Sequence, residues 1–396
     1  MTNRPFEKIK VIDATHVLAG PFSTYQLALL GADVIKVENP LDPDQTRDQG
    51  PDSELRTAGM ATTYLAQASN KRCMTLNLKT SRGQEILTQL VATADVFVEN
   101  YRPGALDDLG LGYEQISITN PGLIYCSVSA FGQTAPRKEQ TAYDLVIQAA
   151  SGLMAHTGTP EVNPVRIGSP VVDYATGTSA AFAIASALYQ RQQSGRGQHI
   201  DVSMFDVAMI LMGAQITSYT YGGHIPRPMG NSHFTATISC YETADGMLML
   251  AAANHRQQAR LWRLLGHAEM IKCDEGERIA DRHKEFALLS SIFLTKTADE
   301  WESLLQEHRV PAARVRGMTE ALQDPQIKSR RVLHEHRECL GVPRPFSVPV
   351  APFAFRSDGP RIDFPPRALG ADTLTILQSL GYSESEIDSL KAADII

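Results

Sequence analysis

Residues 9–37 limit the fold more than any other stretch of the chain. Ile9-Lys-Val-Ile-Asp13 is a short apolar run, and Gly20-Pro21 then opens a helical stretch from Phe22 to Leu30. Gly31 ends that stretch, and Asp33-Val-Ile-Lys-Val37 is a second apolar run. Glycine just past a periodic segment stops a helix, and two short apolar runs flanking it are buried strands. The opening is therefore a strand–helix–strand unit of α/β type. Further strands are expected at 73–78, 95–99 and 123–129, with helices at 81–93 and 142–154. The alternation predicts an open, mostly parallel sheet with helices covering it. Where a nicotinamide-binding chain carries G-x-G-x-x-G, this one has Ala19-Gly20-Pro21, which argues against an ordinary dinucleotide site.

Past residue 170 the pattern changes. Helices are expected at 174–192 and near 203–219, and Tyr221-Gly-Gly-His-Ile-Pro-Arg-Pro-Met-Gly230 is a turn-rich linker. Thr237 to Thr243 and Met247 to Ala252 are strand-like runs joined through Asp245-Gly246, a hairpin signal. Helices follow at 255–265, 280–295 and 298–308. This reads as a smaller α+β domain at 224–317, inserted into a large domain made of 1–223 plus 318–396. Residues 343–367 are proline-rich and extended, and Ser383-Glu-Ser-Glu386 is a capping box opening a last helix.

The bulk numbers narrow the function. A chain of 396 residues with 43% hydrophobic and 20% charged residues can hold two ordinary cores. A net charge of −7 without any dense Lys/Arg cluster argues against a nucleic-acid surface. Cysteines 73, 126, 240, 273 and 339 are odd in number and far apart. They suggest neither a disulfide frame nor a zinc site, and no His, Cys and carboxylate group has metal-ligand spacing. The residues from Met1 to Lys8 lack a signal-peptide core, and no run reaches the roughly 18 apolar residues of a membrane span. The expectation is a cytoplasmic protein with no membrane and no nucleic-acid partner.

The chemistry points to Ser169-Pro-Val-Val-Asp173-Tyr-Ala-Thr-Gly177. An apolar segment hands over at one carboxylate to a helix of small residues, placing Asp173 at the N-cap or first turn. Backbone N–H groups and the positive helix end favour an ionised carboxylate there. Gly177, Ser179, Ala180 and Ala181 leave room for a large ligand. On the residues alone, Asp173 is either a helix cap or a reactive group.

Many segments, in order, resemble the family III CoA-transferases, the group that includes formyl-CoA transferases, carnitine CoA-transferases and α-methylacyl-CoA racemases. They are Val11 to Thr24, Leu30 to Glu38, Asn70-Lys-Arg72, Leu76-Asn-Leu-Lys79 and Ala94 to Gly104. Asn120 to Tyr125, Phe131-Gly-Gln133, Ala142 to Gln148, Asp173 to Gly177 and Gly195 to Met204 complete the set. The resemblance is dense over about 1–232 and looser beyond. It implies a Rossmann-like large domain with an inserted smaller α+β domain, and an interlocked, ring-like homodimer. It also implies Asp173 as nucleophile, forming an aspartyl anhydride and then an aspartyl-CoA thioester.

CoA contacts carried over by the resemblance are Leu18, Ala19, Leu76 through Lys79, Asn100, Tyr101, Arg102, Tyr143 and Asp144. CoA enters as a substrate, with no permanently bound cofactor. In the racemase branch a histidine stands where Tyr143 is, so the apparatus for moving an α-proton is incomplete; His156 is a substitute base only by proximity in sequence. Leu18 replaces the glutamine of formyl-CoA transferases, and Gly222-Gly223 is all that remains of their glycine loop. Oxalate and formate are therefore disfavoured, and succinyl-CoA with a small dicarboxylic or hydroxy acid is the expected pair. Arg166, His224, Arg227 and His233 are candidates to receive a second carboxylate, while Arg47 is open between ion pair and ligand contact. The alternatives are an acyl-CoA racemase and a non-catalytic acyl-CoA binding protein.

Overall fold

The computed structural model describes residues 4–134 and 136–396; the first three residues of the expected large domain and Ala135 lie outside the described residues. Six strands form one parallel sheet: β1 (Lys10–Ala14), β2 (Asp33–Glu38), β3 (Lys71–Thr75), β4 (Val96–Glu99), β5 (Ile124–Ser129) and β6 (Gln198–Ser203). Their order is β3-β2-β1-β4-β5-β6, so the direction of winding reverses between β1 and β4. In open sheets of this order, ligands bind beyond the carboxyl ends of the strands at that reversal.

The apolar residues alternate between two faces. Ile12, Ile35, Phe97 and Tyr125 point into one core, shared with α2 (Ser81–Ala92) and with Ile376, Leu377, Ile387 and Leu390 of the C-terminal helices. Val11, Val34, Val96 and Ile124 point the other way, toward α1 (Ala19–Leu29) and Ala180, Ile184 and Leu188 of a long helix. That helix is Val171–Ser194 (α4), preceded by α3 (Asp144–Ser151). α1 and α4 approach closely because Gly177 has no side chain: a Cβ there would lie 2.6 Å from the Ala19 carbonyl oxygen.

Several sequence expectations need adjusting. β6 has no apolar-run signal because it is an edge strand, with Gln198, His199 and Asp201 in place of an unbroken core pattern. The third strand starts earlier than expected and ends at Thr75, so Leu76 to Lys79 follow it as a loop. The helix expected near 203–219 is two helices, Met204–Leu211 (α5) and Gly213–Gly222. The membrane reading also changes: α4, at 24 residues, is long and apolar enough by length and composition to cross a bilayer.

The chain divides into two compact units. The first holds Met1–Leu153, Arg166–Ile225 and Gln326–Ile396; the second holds Met154–Val165 and Pro226–Pro325. Residues 154–165 thus join the second unit, although nothing in their sequence separates them from their neighbours. In the second unit, the hairpin of Ile238–Glu242 and Met247–Ala251 pairs with Ala312–Arg314 in an antiparallel sheet. Tyr241, Trp262, Phe293 and Trp301 fill its core.

Buried charges toward the carboxyl ends of β1 and β2, joined by the first residue of β3, hold the first unit's sheet together. Asp13 pairs with Lys71 at 3.0 Å, Lys36 with Asp44 at 2.9 Å, and Arg47 with Glu38 at 2.7 Å, all six being buried. Burial alone would raise the Asp13 pKa, but Lys71 and Lys36 overcome it and hold the carboxyl below the usual range. Arg47 is therefore an internal ion pair: its guanidinium forks onto Glu38, donates to the Tyr64 hydroxyl and lies over that ring. Replacing Lys71 by Ala strands Asp13 in a dry site and is expected to cost about 3–5 kcal/mol in urea unfolding. The double variant Asp13→Leu with Lys71→Met should recover much of that loss.

Candidate active site

The reversal between β1 and β4 is closed off by two loops that hold each other. The loop after β4 supplies Asn100, whose Oδ1 accepts the His16 N–H at 2.8 Å and whose Nδ2 donates to the His16 carbonyl at 2.7 Å. In the loop after β1, Val17 adopts φ +70, a strained value for a β-branched residue. It is held from both sides: its N–H donates to Asp44 at 3.1 Å and its carbonyl accepts from Gln67 at 2.8 Å. The His16 ring meets Tyr101 edge-on at 5.2 Å. Burial and then Lys36 lower the His16 pKa, which keeps the imidazole neutral at pH 7.

Leu18 and Ala19 follow at the start of α1 and are only 6% and 4% exposed, so what they offer a ligand is backbone. No side chain caps α1 and its first turn carries no acidic residue, leaving its positive end open to an anion. Leu76 is a core residue whose side chain is fully enclosed, whereas Lys79 and Arg102 are exposed cations. Arg102 has a loose 3.8 Å contact with Asp108, and the Tyr101 N–H donates to Glu99 at 2.8 Å. Arg102 also lines a cavity of about 100 Å³ against β4, β5 and β6, with Glu99, Tyr113, Ser127 and His199. Burial pushes Glu99 up to about 7 there. No sequence motif marks this cavity, because its residues come from separate strands and loops.

Asp173 lies in the first turn of α4, one turn before Gly177 meets Ala19. Its side chain does not cap the helix. That task falls to Asp144, whose Oδ2 accepts the N–H groups of Val172 at 2.8 Å and Asp173 at 3.0 Å. Asp144 was expected as a CoA contact; its carboxylate is instead buried and bonded within the chain, also accepting from Gln148 Nε2. The expected ionised helix-cap state of Asp173 changes accordingly. Burial, and after it the charge of Asp144, push the Asp173 carboxyl up to about 7, against the pull of the helix end. Tyr143, next to Asp144, is 58% exposed and donates its hydroxyl to Gln45 at 3.3 Å.

Of the residues expected to bind a second carboxylate, Arg166 and His224 are exposed in the first unit; Arg227 is exposed and His233 half-buried in the second. Among the described residues, no group of three or more His, Cys, Asp and Glu side chains could hold a metal ion.

Comparison with known proteins places this geometry in context. The model of CoA-transferase family III matches residues 6–373. The succinate–glutarate CoA-transferase of Agrobacterium fabrum is 37% identical, over 91% of this chain and 94% of its own. The succinyl-CoA–D-citramalate CoA-transferase of Chloroflexus aurantiacus is 33% identical, over 99% and 98% of the two chains. The crystal structure of a CaiB/BaiF family protein from Brucella suis superposes with a TM-score of 0.83 at 35% identity, covering 96% of this chain and all of that one.

The raised Asp173 pKa has a consequence for stability. An aspartate normally titrates near 3.8, so the folded state takes up a proton that the unfolded chain gives away between 3.8 and about 7. Ionising Asp173 therefore destabilises the fold as pH rises through that window, and the cost is fully present above it. Asp173→Asn should raise the melting temperature by roughly a few degrees at pH 8, with the gain shrinking toward pH 4. A gain that is the same at both pH values would contradict the raised pKa.

Proposed function

This chain belongs to CoA-transferase family III, and from that premise we propose that it moves CoA from succinyl-CoA to a free dicarboxylic acid through covalent intermediates on Asp173. The observation that carries the reading is the place of Asp173: the first turn of a helix packed on the open end of α1, at the carboxyl edge of the sheet. An Asp173 oxygen attacks the thioester carbonyl; the C–S bond breaks and its electron pair leaves on the CoA thiolate. The thiolate then attacks the aspartyl carbonyl of the resulting anhydride, releasing succinate and leaving an aspartyl-CoA thioester. The acceptor carboxylate reverses the two steps and departs as its own thioester. No proton moves, so no general base is needed.

The donor and acceptor follow from the relatives, which act with succinate or succinyl-CoA and with glutarate or D-citramalate. Both acceptors are dicarboxylic acids, and D-citramalate also carries a hydroxyl. Lys79 and Arg102, exposed at the ends of β3 and β4, are suited to CoA phosphates, and the Asn100–Tyr101 loop to the rest of the coenzyme. Tyr143, exposed beside Asp144, is read as a hydrogen-bond donor near the thioester.

We read the protein as a cytoplasmic homodimer with no membrane partner. Support for the dimer comes from apolar side chains left bare on the first unit: Phe182 of α4 at 74% exposure, Ile210 of α5 at 77%, and Tyr221 at 94%. Against a membrane role, α4 carries Asp173 in its first turn and is lodged beside α1 and the sheet, with Ala180, Ile184, Ala187 and Leu188 in that core.

With succinyl-CoA and a panel of free acids, new CoA thioesters should appear with glutarate or a hydroxydicarboxylate and not with formate, as read by mass spectrometry. Asp173→Ala should lower turnover by at least about a thousandfold while CoA binding persists. An Asp173→Ala variant with full activity would overturn the mechanism, and α-deuterium exchange without any acceptor would point to racemase chemistry.

A further inference from the structure

Asp144 and Gln148 sit one helical turn apart on α3, where positions i and i+4 share a face. Together they strap the segment that delivers Asp173. Gln148 is fully buried, and its Oε1 accepts the Ile167 N–H at 2.9 Å, before the Gly168-Ser-Pro170 bend. Asp144 accepts the Val172 and Asp173 N–H groups after that bend, and the two side chains bond to each other. The loop between Ile167 and Asp173 is thus pinned at both ends from one helix face.

We propose that Asp144 and Gln148 are positioning residues for the reaction: together they fix the peptide of Asp173, Asp144 sets one negative charge beside its carboxylate, and neither touches the coenzyme. This rests on Asp173 being the nucleophile. By occupying the first-turn amides, Asp144 keeps those donors from binding the Asp173 carboxylate and blunting its nucleophilicity. Its own charge also repels that carboxylate. When Asp173 attacks the thioester, the negative charge moves to the CoA sulfur and Asp173 becomes a neutral acyl group. The repulsion is relieved along the reaction path, so it favours acylation. The raised Asp173 pKa, for which Asp144 is the charged cause, agrees. Of the other elements packed on α4, α1 has no charged side chain and only Tyr25 to titrate, and β5 carries Tyr125 and Cys126; none of these bears on Asp173. α5 carries Asp206 and β6 carries His199 and Asp201, and none of these bears on Asp173.

The test compares wild type, Asp144→Asn and Gln148→Met with succinyl-CoA and an accepted acid across pH 5 to 9. Asp144→Asn keeps an acceptor for the α4 amides but removes the charge. It should shift the acid limb of kcat/KM to lower pH by roughly one unit or more, with the KM for succinyl-CoA unchanged within about twofold. Gln148→Met should lower kcat about tenfold without moving the acid limb. A raised KM with an unmoved acid limb in Asp144→Asn means a coenzyme contact and overturns the proposal. If Asp144→Asn does not fold, Gln148→Met decides: a fall in kcat supports the proposal and a rise in KM overturns it. Hydroxylamine trapping of wild type separates the two layers. No derivative at Asp173 refutes the nucleophile itself; a derivative with an unmoved acid limb refutes only the role of Asp144.

Discussion

The buried lattice of three cations and three carboxylates at the ends of β1, β2 and β3 is the constraint on which the site depends. Asp13, Lys36, Glu38, Asp44, Arg47 and Lys71 balance in charge, so no charge in the lattice is buried without an opposite partner. The lattice also shapes the chain above it. Lys36 donates to the Thr15 carbonyl at 2.7 Å, and Asp44, which pairs with Lys36, accepts the Val17 N–H. The strained turn that brings Leu18 and Ala19 to the start of α1 is therefore held by the same groups that hold the strands together. Asn100 ties that turn to the loop after β4, so both lips of the crevice are fixed before any ligand arrives.

The other side of the site is built differently. Asp173 is carried by a helix whose first turn is anchored to a neighbouring helix through Asp144, and whose approach to α1 is allowed by Gly177. One carboxylate is committed to structure and the other is left reactive, four bonded atoms from the amide that the first one holds. Burial first, and then the charge of Asp144, make Asp173 a more basic group than an exposed aspartate. A more basic carboxylate is a better nucleophile toward a thioester, so under the proposed mechanism the packing of α3 against α4 would bear on the rate of acyl transfer.

Much of this was legible in the sequence, for identifiable reasons. The opening strand–helix–strand unit declared itself because buried parallel strands are unbroken apolar runs and Gly31 punctuates the helix. The Asp245-Gly246 hairpin was equally plain. β6 was missed because an edge strand with Gln198, His199 and Asp201 lacks that signal. Arg47 could not be assigned, since its partner Glu38 is on β2 and only the folded chain shows the pair to be enclosed. Asp144 was read as a ligand contact for a related reason: nothing local reveals that its hydrogen-bond donors lie 28 and 29 residues away. The identities of reactive residues survive in short motifs, while the direction each side chain faces is a property of distant segments.

If Asp173 carries the acyl group, oxygen atoms pass through it during transfer. An acceptor acid labelled with ¹⁸O in its carboxylate tests it most directly, since the acceptor attacks the aspartyl thioester and leaves one of its oxygens behind. After a single turnover with succinyl-CoA, the peptide containing Asp173 should carry one ¹⁸O, rising toward two over further turnovers as the released succinate acquires label. Product formed with no ¹⁸O in that peptide would mean that CoA passes between the acids without an aspartyl intermediate, and that Asp173 is not the nucleophile.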